Sequence, residues 1–348
     1  MNIAATLTKA LNLFPDQPAV VEGDLRLTYG QVGGRVRRLA QALSGLGLKT
    51  GDRISIIAPN GLAFLETYYA AAFLGLIVNP INIRLAAPEM AYILNDAGSR
   101  LLLAQTGFTE TVMEALRAAP DVESLIWLGG RGQPVPGRES LAYEDLLAAQ
   151  SGQFEGPPLI DDSQPAHLYY TSGTTGRPKG VILTHRNVTV HALAAIAEFH
   201  VTDADHWFHV APMFHLADAW ATFALTWVGG LHVMVGQFEA GQVLALIEKE
   251  KVTLTNLIPT MLNLMVNHPH ASKYDYSSLR LILSGGAPIP VRPDLRPDRD
   301  LALPDRVHPQ RPPQGLGPRD QAELHQPHRT GVFGRGTEGR RRRPGGAA

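Results

Sequence analysis

The stretch YYTSGTTGRPKG, residues 169–180, gathers nine Gly, Ser, Thr, Lys or Arg residues into twelve positions behind an apolar stub. Gly173, Gly176 and Gly180 permit positive φ and close approach, so successive backbone N–H groups can converge on one anion. Thr171, Ser172, Thr174 and Thr175 add hydroxyl donors, and Lys179 adds a mobile positive charge suited to phosphate oxygens. Pro178 stiffens the approach to that lysine. In chemical terms the stretch is a polyphosphate cradle. Its spacing is not that of G-x-x-x-x-G-K-[ST], because Lys179 lies three residues after Gly176 and is followed by Gly180 and Val181 rather than by a hydroxyl residue and a helix. The apolar GVILT behind it reads as a strand, so a hairpin carries the loop. The bland alternative is a flexible surface turn, which would not need so many fixed positions.

Other chemistry is thinner. The chain has no cysteine, which excludes thiol nucleophiles, disulfides and zinc-cysteine sites. Seven of its 13 histidines lie between 185 and 232, but HWFH at 206–209 is the only close pair, a poor basis for a zinc site. Trp207, Trp220 and Trp227 fall near Phe208, Met213, Phe214 and Phe223. Such clusters are normally core, and some of these residues are also candidates for an apolar substrate pocket.

The elements that must position these groups follow an αβ alternation. Helical periodicity through QVGGRVRRLAQALSGLGL gives way to the buried strand ISIIAP. The same order recurs in LAFLETYYAAAFLG then LIVNPI, APEMAYILNDAG then RLLLAQ, and TETVMEALRAA then ESLIWL. Residues 129–165 are rich in glycine and proline and read as a linker or subdomain boundary. Beyond it, strands are expected at HLYYT, GVILT, HWFHVAP, GLHVMVG, KVTLTN and LRLILSG, with helices over 186–199, 215–227, 239–250 and 260–267. Short apolar strands alternating with helices imply α/β architecture with parallel sheets covered on both faces. The expected division is a first α/β subdomain over 1–160, a second with the phosphate loop over 161–290, and an atypical tail over 291–348.

With 45% hydrophobic and 18% charged residues, the 348-residue chain reads as a globular protein of two or three domains. Its charge is uneven, net −6 over 1–290 and net +5 over 291–348. The last segment holds 12 Arg, no Lys, 9 Pro and 8 Gly, with only nine Leu, Val or Phe. So few large apolar groups cannot offset the entropy of ordering. It is either a basic disordered tail or the product of a shifted reading frame in GC-rich coding sequence. The N-terminus carries only Lys9 as a cation in its first 20 residues and is broken by Pro15, unlike a secretory signal. It reads as mature, cytoplasmic protein. The run Tyr68–Val78 is too short to span a bilayer and reads as buried.

YYTSGTTGRPKGVILTHRN closely resembles the phosphate loop of the AMP-forming, adenylate-forming enzymes. LTYGQV at 27–32, GDRISIIAPN at 51–60, APMFHLADAW at 211–220, IPTML at 258–262 and LSGGAPIP at 283–290 match the same family in order. PMFH resembles the acyl-CoA synthetase branch in particular. The resemblance covers almost all of residues 1–290. It implies the N-terminal domain of that family, two stacked parallel-sheet αβ subdomains, with the small C-terminal domain absent. It also implies ATP-dependent conversion of a carboxylic acid, fatty by expectation, to acyl-AMP and then acyl-CoA. ATP, Mg²⁺ and coenzyme A are the implied cofactors and cosubstrates.

By motif, Thr171, Ser172, Gly173, Thr174, Thr175, Gly176 and Lys179 would hold the β- and γ-phosphates, with Mg²⁺ bridging them. Gly285, Gly286, Ala287 and Pro288 resemble the turn against adenine. His215 matches the position between acyl pocket and phosphate loop, which makes His215 and Lys179 the candidate catalytic residues. No protein residue is expected to form a dedicated metal site. The expected partners are the acid, ATP and coenzyme A, without nucleic acid and with at most peripheral membrane contact; a homodimer is left open.

The family's aromatic-glycine-x-threonine-glutamate motif, its ribose-binding aspartate and its C-terminal lysine are not found in this sequence. The break falls one short segment after a strong motif, where no domain boundary belongs, which favours a shifted frame or truncated gene over a functional tail. The expectation is impaired activity for the chain as written. The alternatives are another adenylate-forming ligase, for an aryl acid or amino acid, and a non-catalytic ATP- or acyl-binding module.

Overall fold

The computed structural model describes residues 1–154, 160–171 and 177–285, with the backbone of 307–308. Ser172, Gly173, Thr174, Thr175, Gly176, Gly286, Ala287 and Pro288 therefore lie outside the described residues, as does most of 291–348.

Helix α1 (Ala4–Leu13) leads into β1 (Pro18–Glu22) and β2 (Leu25–Thr28), and α2 (Tyr29–Gly45) follows directly. Its start is a capping box: Thr28 Oγ1 accepts from the Gln31 N–H while Gln31 Oε1 accepts from the Thr28 N–H. Then come β3 (Arg53–Ile57), α3 (Leu62–Leu74), β4 (Ile77–Pro80), α4 (Ala87–Ala97), β5 (Ser99–Gln105), α5 (Thr109–Arg117), β6 (Ser124–Leu128), β7 (Glu139–Ala142) and α6 (Tyr143–Ala148). After the hairpin strands β8 (Pro165–Thr171) and β9 (Lys179–Thr184) follow α7 (His185–Phe199), β10 (His206–His209), α8 (Leu216–Val228) and β11 (Leu231–Met234). The last described elements are α9 (Ala240–Lys249), β12 (Leu254–Asn256), α10 (Pro259–Val266), β13 (Leu281–Leu283) and the two-residue β14 (Val307–His308).

Two seven-stranded sheets result, ordered β14-β13-β12-β10-β11-β1-β2 and β7-β6-β5-β3-β4-β8-β9. All pairings are parallel except β1 with β2 and β8 with β9. The mixed α/β fold with parallel-dominated sheets is the one expected. The expected division at 160/161, however, does not follow the sheets. The N-terminal β1 and β2 complete the sheet built from the second half, and β8 and β9 complete the sheet of the first half. Local periodicity shows that a strand exists but not which sheet receives it. The 129–165 linker is likewise not featureless: it contains β7 and α6. Strand β7, Glu-Ser-Leu-Ala, has no fully buried residue and hence no apolar run to betray it.

The core is layered. The largest apolar cluster joins α1, α2, α3 and α8 to β1 and β11 of one sheet and to β3, β4, β5 and β6 of the other, so these helices fill the space between the sheets. Helix α3 is largely apolar and buried from Phe64 to Phe73, Glu66 and Thr67 included, as a helix between two sheets requires. Helices α4 and α5 cover the outer face of the second sheet, and α9 and α10 that of the first. Among the described residues no helix is long and apolar enough to cross a membrane.

Candidate active site

Strands β8 and β9 form the expected hairpin, and their register pairs Thr171 with Lys179. The two ends of the loop are thereby held opposite each other, with both side chains exposed. Alternation along β8 sends neighbouring tyrosines to opposite faces. Tyr170 Oη donates to Asp96 of α4 at 2.7 Å, and Tyr92 of the same helix donates to the Pro178 carbonyl at 3.3 Å. The Arg177 guanidinium stands 5.9 Å from the Tyr92 ring. On the inner face, the Tyr169 and Tyr68 hydroxyls are 3.1 Å apart and Tyr68 Oη donates to the Met213 carbonyl at 3.0 Å. Two tyrosine hydroxyls thus connect strand β8 of the hairpin to the PMFH segment by hydrogen bonds.

That segment follows β10 and is fixed by Asn60, the last residue of GDRISIIAPN. Asn60 Nδ2 donates to the His209 and Ala211 carbonyls at 3.0 and 2.8 Å, and Asn60 Oδ1 accepts from the Met213 N–H at 2.7 Å. His215 then caps α8: its carbonyl accepts from the Asp218 and Ala219 N–H groups, while its own N–H donates to the Pro212 carbonyl. The imidazole is exposed, 4.6 Å from the Phe214 ring, and makes no cap bond. Partial desolvation, and then the positive charge of Arg84, hold its pKa below the ordinary histidine value. The ring is therefore neutral at neutral pH and available as an acceptor.

Strands β10, β12 and β13 are parallel neighbours, so the PMFH segment after β10 and the turn after β13 leave the same, carboxyl edge of one sheet. Gly285 lies on that turn, and the Leu257 N–H bonds the Leu283 carbonyl beside it. Crevices at the carboxyl ends of parallel strands are where open α/β sheets bind ligands. Of the sequence-predicted residues, Thr171 and Lys179 are brought together, and His215 is tied to their strand through Met213, Tyr68 and Tyr169. Gly285 belongs to the other sheet and connects to His215 through adjacent strands.

The tryptophan cluster is largely core. Trp207 is fully buried with Trp220 edge-on at 4.9 Å, and Met213, Phe214 and Phe223 are all buried. Among the described residues no group of three His, Asp or Glu is placed to hold a metal ion. A small apolar cavity of about 20 Å³ beside Ile247 and Met265 and an open hollow of about 640 Å³ beside Thr106 and Arg131 are lined by none of the candidate site residues. Asn60, Tyr68, His209, Asp218 and His232 were not singled out from sequence. The available signals were weak: an asparagine three residues beyond an apolar strand, and an aspartate at the third position of a largely apolar helix.

The sequence pattern described as AMP-binding enzyme matches residues 7–296. The chain belongs to that family. It is 37% identical over 278 residues to a feruloyl-CoA synthase of Amycolatopsis sp, covering 80% of this chain and 52% of that protein. It is 34% identical over 295 residues to the long-chain-fatty-acid–CoA ligase FadD13 of Mycobacterium tuberculosis, covering 83% of this chain and 56% of that one. It thus spans about half the length of these curated relatives. In three dimensions it is similar to the inhibitor-bound N-terminal domain of FACL13 from the same organism, with a TM-score of 0.72 and 31% identity over 83% of this chain and 71% of that one.

Proposed function

We propose that this AMP-binding family member is the ATP- and acid-binding part of an AMP-forming acid–thiol ligase. A carboxylate oxygen attacks the α-phosphorus of ATP, the bond to the β-phosphate breaks, and pyrophosphate leaves with acyl-AMP formed. The sulfur of coenzyme A then attacks the acyl carbon and the bond to AMP breaks, releasing the thioester. A free carboxylate has no adequate leaving group, so the first step supplies one. The protein's part is positioning and charge stabilisation. Lys179 and the hydroxyl of Thr171, opposed across the hairpin, meet the departing phosphates with the residues 172–176 between them. The neutral His215 imidazole, on a loop rigidly held by Asn60 and Tyr68, stands at the junction of acid and phosphate. Gly285, on the turn after β13 at the same sheet edge, is the described residue we assign to the adenine side.

The observation that carries this reading is the hydroxyl chain Tyr169–Tyr68–Met213, which couples the phosphate hairpin to the PMFH segment. The family motif whose glutamate would hold Mg²⁺ is not found in this sequence, so the described residues do not fit that ion. The same absence favours a second reading, in which the 348-residue chain binds ATP and acid but turns over slowly or not at all. For the acid, a fatty acid is our first choice and an aryl acid the second, the relatives at similar identity including a long-chain-fatty-acid–CoA ligase and a feruloyl-CoA synthase. Direct ATP binding by the full chain, followed by acid-dependent pyrophosphate exchange over fatty and aryl acids, tests both. ATP binding with little exchange supports the second reading, ordinary exchange and AMP release support full activity, and no ATP binding removes both.

A further inference from the structure

Beneath the His215 loop runs a line of buried polar groups that the adenylation reading does not use. Trp207 Nε1 donates to Asp218 Oδ1 at 3.1 Å, and His209 Nδ1 lies 2.5 Å from Asp218 Oδ2. His209 Nε2 lies 2.9 Å from His232 Nδ1, and His232 Nε2 lies 3.0 Å from Thr226 Oγ1. Asp218, His209 and His232 are each 0% exposed and Thr226 1%. The two imidazoles stack at 5.2 Å with an interplanar angle of 10°.

Proton counting gives this line a direction. An ionised carboxylate only accepts, so Asp218 takes a hydrogen from Trp207 and another from His209 Nδ1. With a single proton on His209, its Nε2 is an acceptor, which requires His232 to donate from Nδ1. His232 Nε2 is an acceptor in turn, and Thr226 donates to it. Every ring nitrogen is used once. Burial, and next the neighbouring His209, keep His232 far below its ordinary pKa and hence uncharged. The line also spans three elements. Asp218 and Thr226 stand two turns apart on α8, His209 is the last residue of β10, and His232 lies in β11. Because Asp218 sits in the first turn of α8, its bond to His209 closes residues 210–217 at both ends. Buried ionic and polar groups of this kind add little net stability over apolar packing of the same volume. What a fully satisfied network supplies is one arrangement in place of several.

We propose that Asp218, His209 and His232 are positioning residues, whose one-directional hydrogen-bond line fixes the N-terminus of α8, and with it the His215 imidazole, against strand β10. The inference rests on the adenylation reading only for why His215 matters, and its tests need no turnover.

Long-range ¹H–¹⁵N imidazole correlation on the labelled full chain reads the tautomers directly. Both His209 and His232 are expected as Nδ1–H at neutral pH; an Nε2–H or doubly protonated form of either overturns the proposal. Asp218→Asn can accept from only one of its two donors, and amide exchange at Met213 and His215 is expected to rise about tenfold or more while Ile54–Ile57 stays unchanged. A change within about twofold at Met213 and His215 overturns the proposal. If Asp218→Asn does not fold, the pair Thr226→Val and Thr226→Ser decides. The valine is expected to shift the His232 Nε2 resonance and the serine to restore it, whereas identical spectra for both sink the idea. Failure of the full chain to bind ATP would remove the adenylation reading and leave these readouts standing.

Discussion

Replacing Asn60 probes how the PMFH segment is held. Its side chain makes three hydrogen bonds, all to backbone, and is only 7% exposed. Asn60→Ala strands two carbonyls and one N–H in a site closed to solvent. At about 1 kcal/mol net per bond the cost is about 3 kcal/mol. At about 2.1 cal/mol/K per residue over about 290 residues, that lowers Tm by about 5 °C. Asn60→Asp is the sharper perturbation because it keeps the shape. One oxygen still accepts from the Met213 N–H, but the other now faces the His209 and Ala211 carbonyls as a second acceptor. Aspartate is therefore expected to be worse than alanine by about 2 kcal/mol, despite filling the space. Urea unfolding of both variants followed by circular dichroism, with amide exchange at Met213, measures this. An aspartate variant as stable as the alanine variant, or more so, would refute the assignment of two donated bonds.

Three further outcomes are expected. Lys179→Ala, at an exposed residue, lowers ATP affinity about tenfold or more with unfolding unchanged, as read by titration calorimetry alongside thermal melts. His167, packed among Tyr68, Tyr169 and Phe223 with Nδ1 unpartnered, has its pKa pushed down to about 3, by burial first and His185 second. The unfolded chain binds that proton near pH 6.5 and the folded chain does not, so stability falls as pH drops from about 6.5 toward 3. His167→Phe should flatten that slope and stabilise the protein more at pH 5 than at pH 8; equal effects at both would show that the ring does not titrate this way. Arg35 bonds the fully buried Glu66, which Tyr143 also contacts, and Arg35→Met leaves that carboxylate unpaired at a cost of about 3 kcal/mol, measured by chemical denaturation.

The αβ alternation was readable because parallel strands covered on both faces are continuous apolar runs, such as Ser124–Leu128, all buried. Hairpin β8–β9 was readable from the polar insert between HLYYT and GVILT. Strand β7 and the exchange of hairpins between sheets were not, since an edge strand needs no apolar run and sheet membership depends on partners far away in sequence. At the site, residues whose chemistry is explicit in their type, Lys179 and the hydroxyls, stood out. Asn60 and Asp218 did not, because their work is to bond backbone and buried rings, which no spacing rule announces. The close pair in HWFH at 206–209 is a poor metal signal on spacing alone. In the structure His209 spends both ring nitrogens on Asp218 and His232.

The exchanged hairpins also set the order in which a growing chain can finish folding. Val20 has no parallel partner until His232 has been made, and the sheet of β3 and β4 lacks its outer strands until Thr184. At about 5–20 residues per second the wait for the first of these is on the order of 10–40 s. Throughout that interval β1 offers an open edge on the ribosome, next to a half-built core. Interruption of synthesis between these points leaves both sheets unfinished, so a prematurely stopped chain is expected to be a client for chaperones rather than a stable smaller domain.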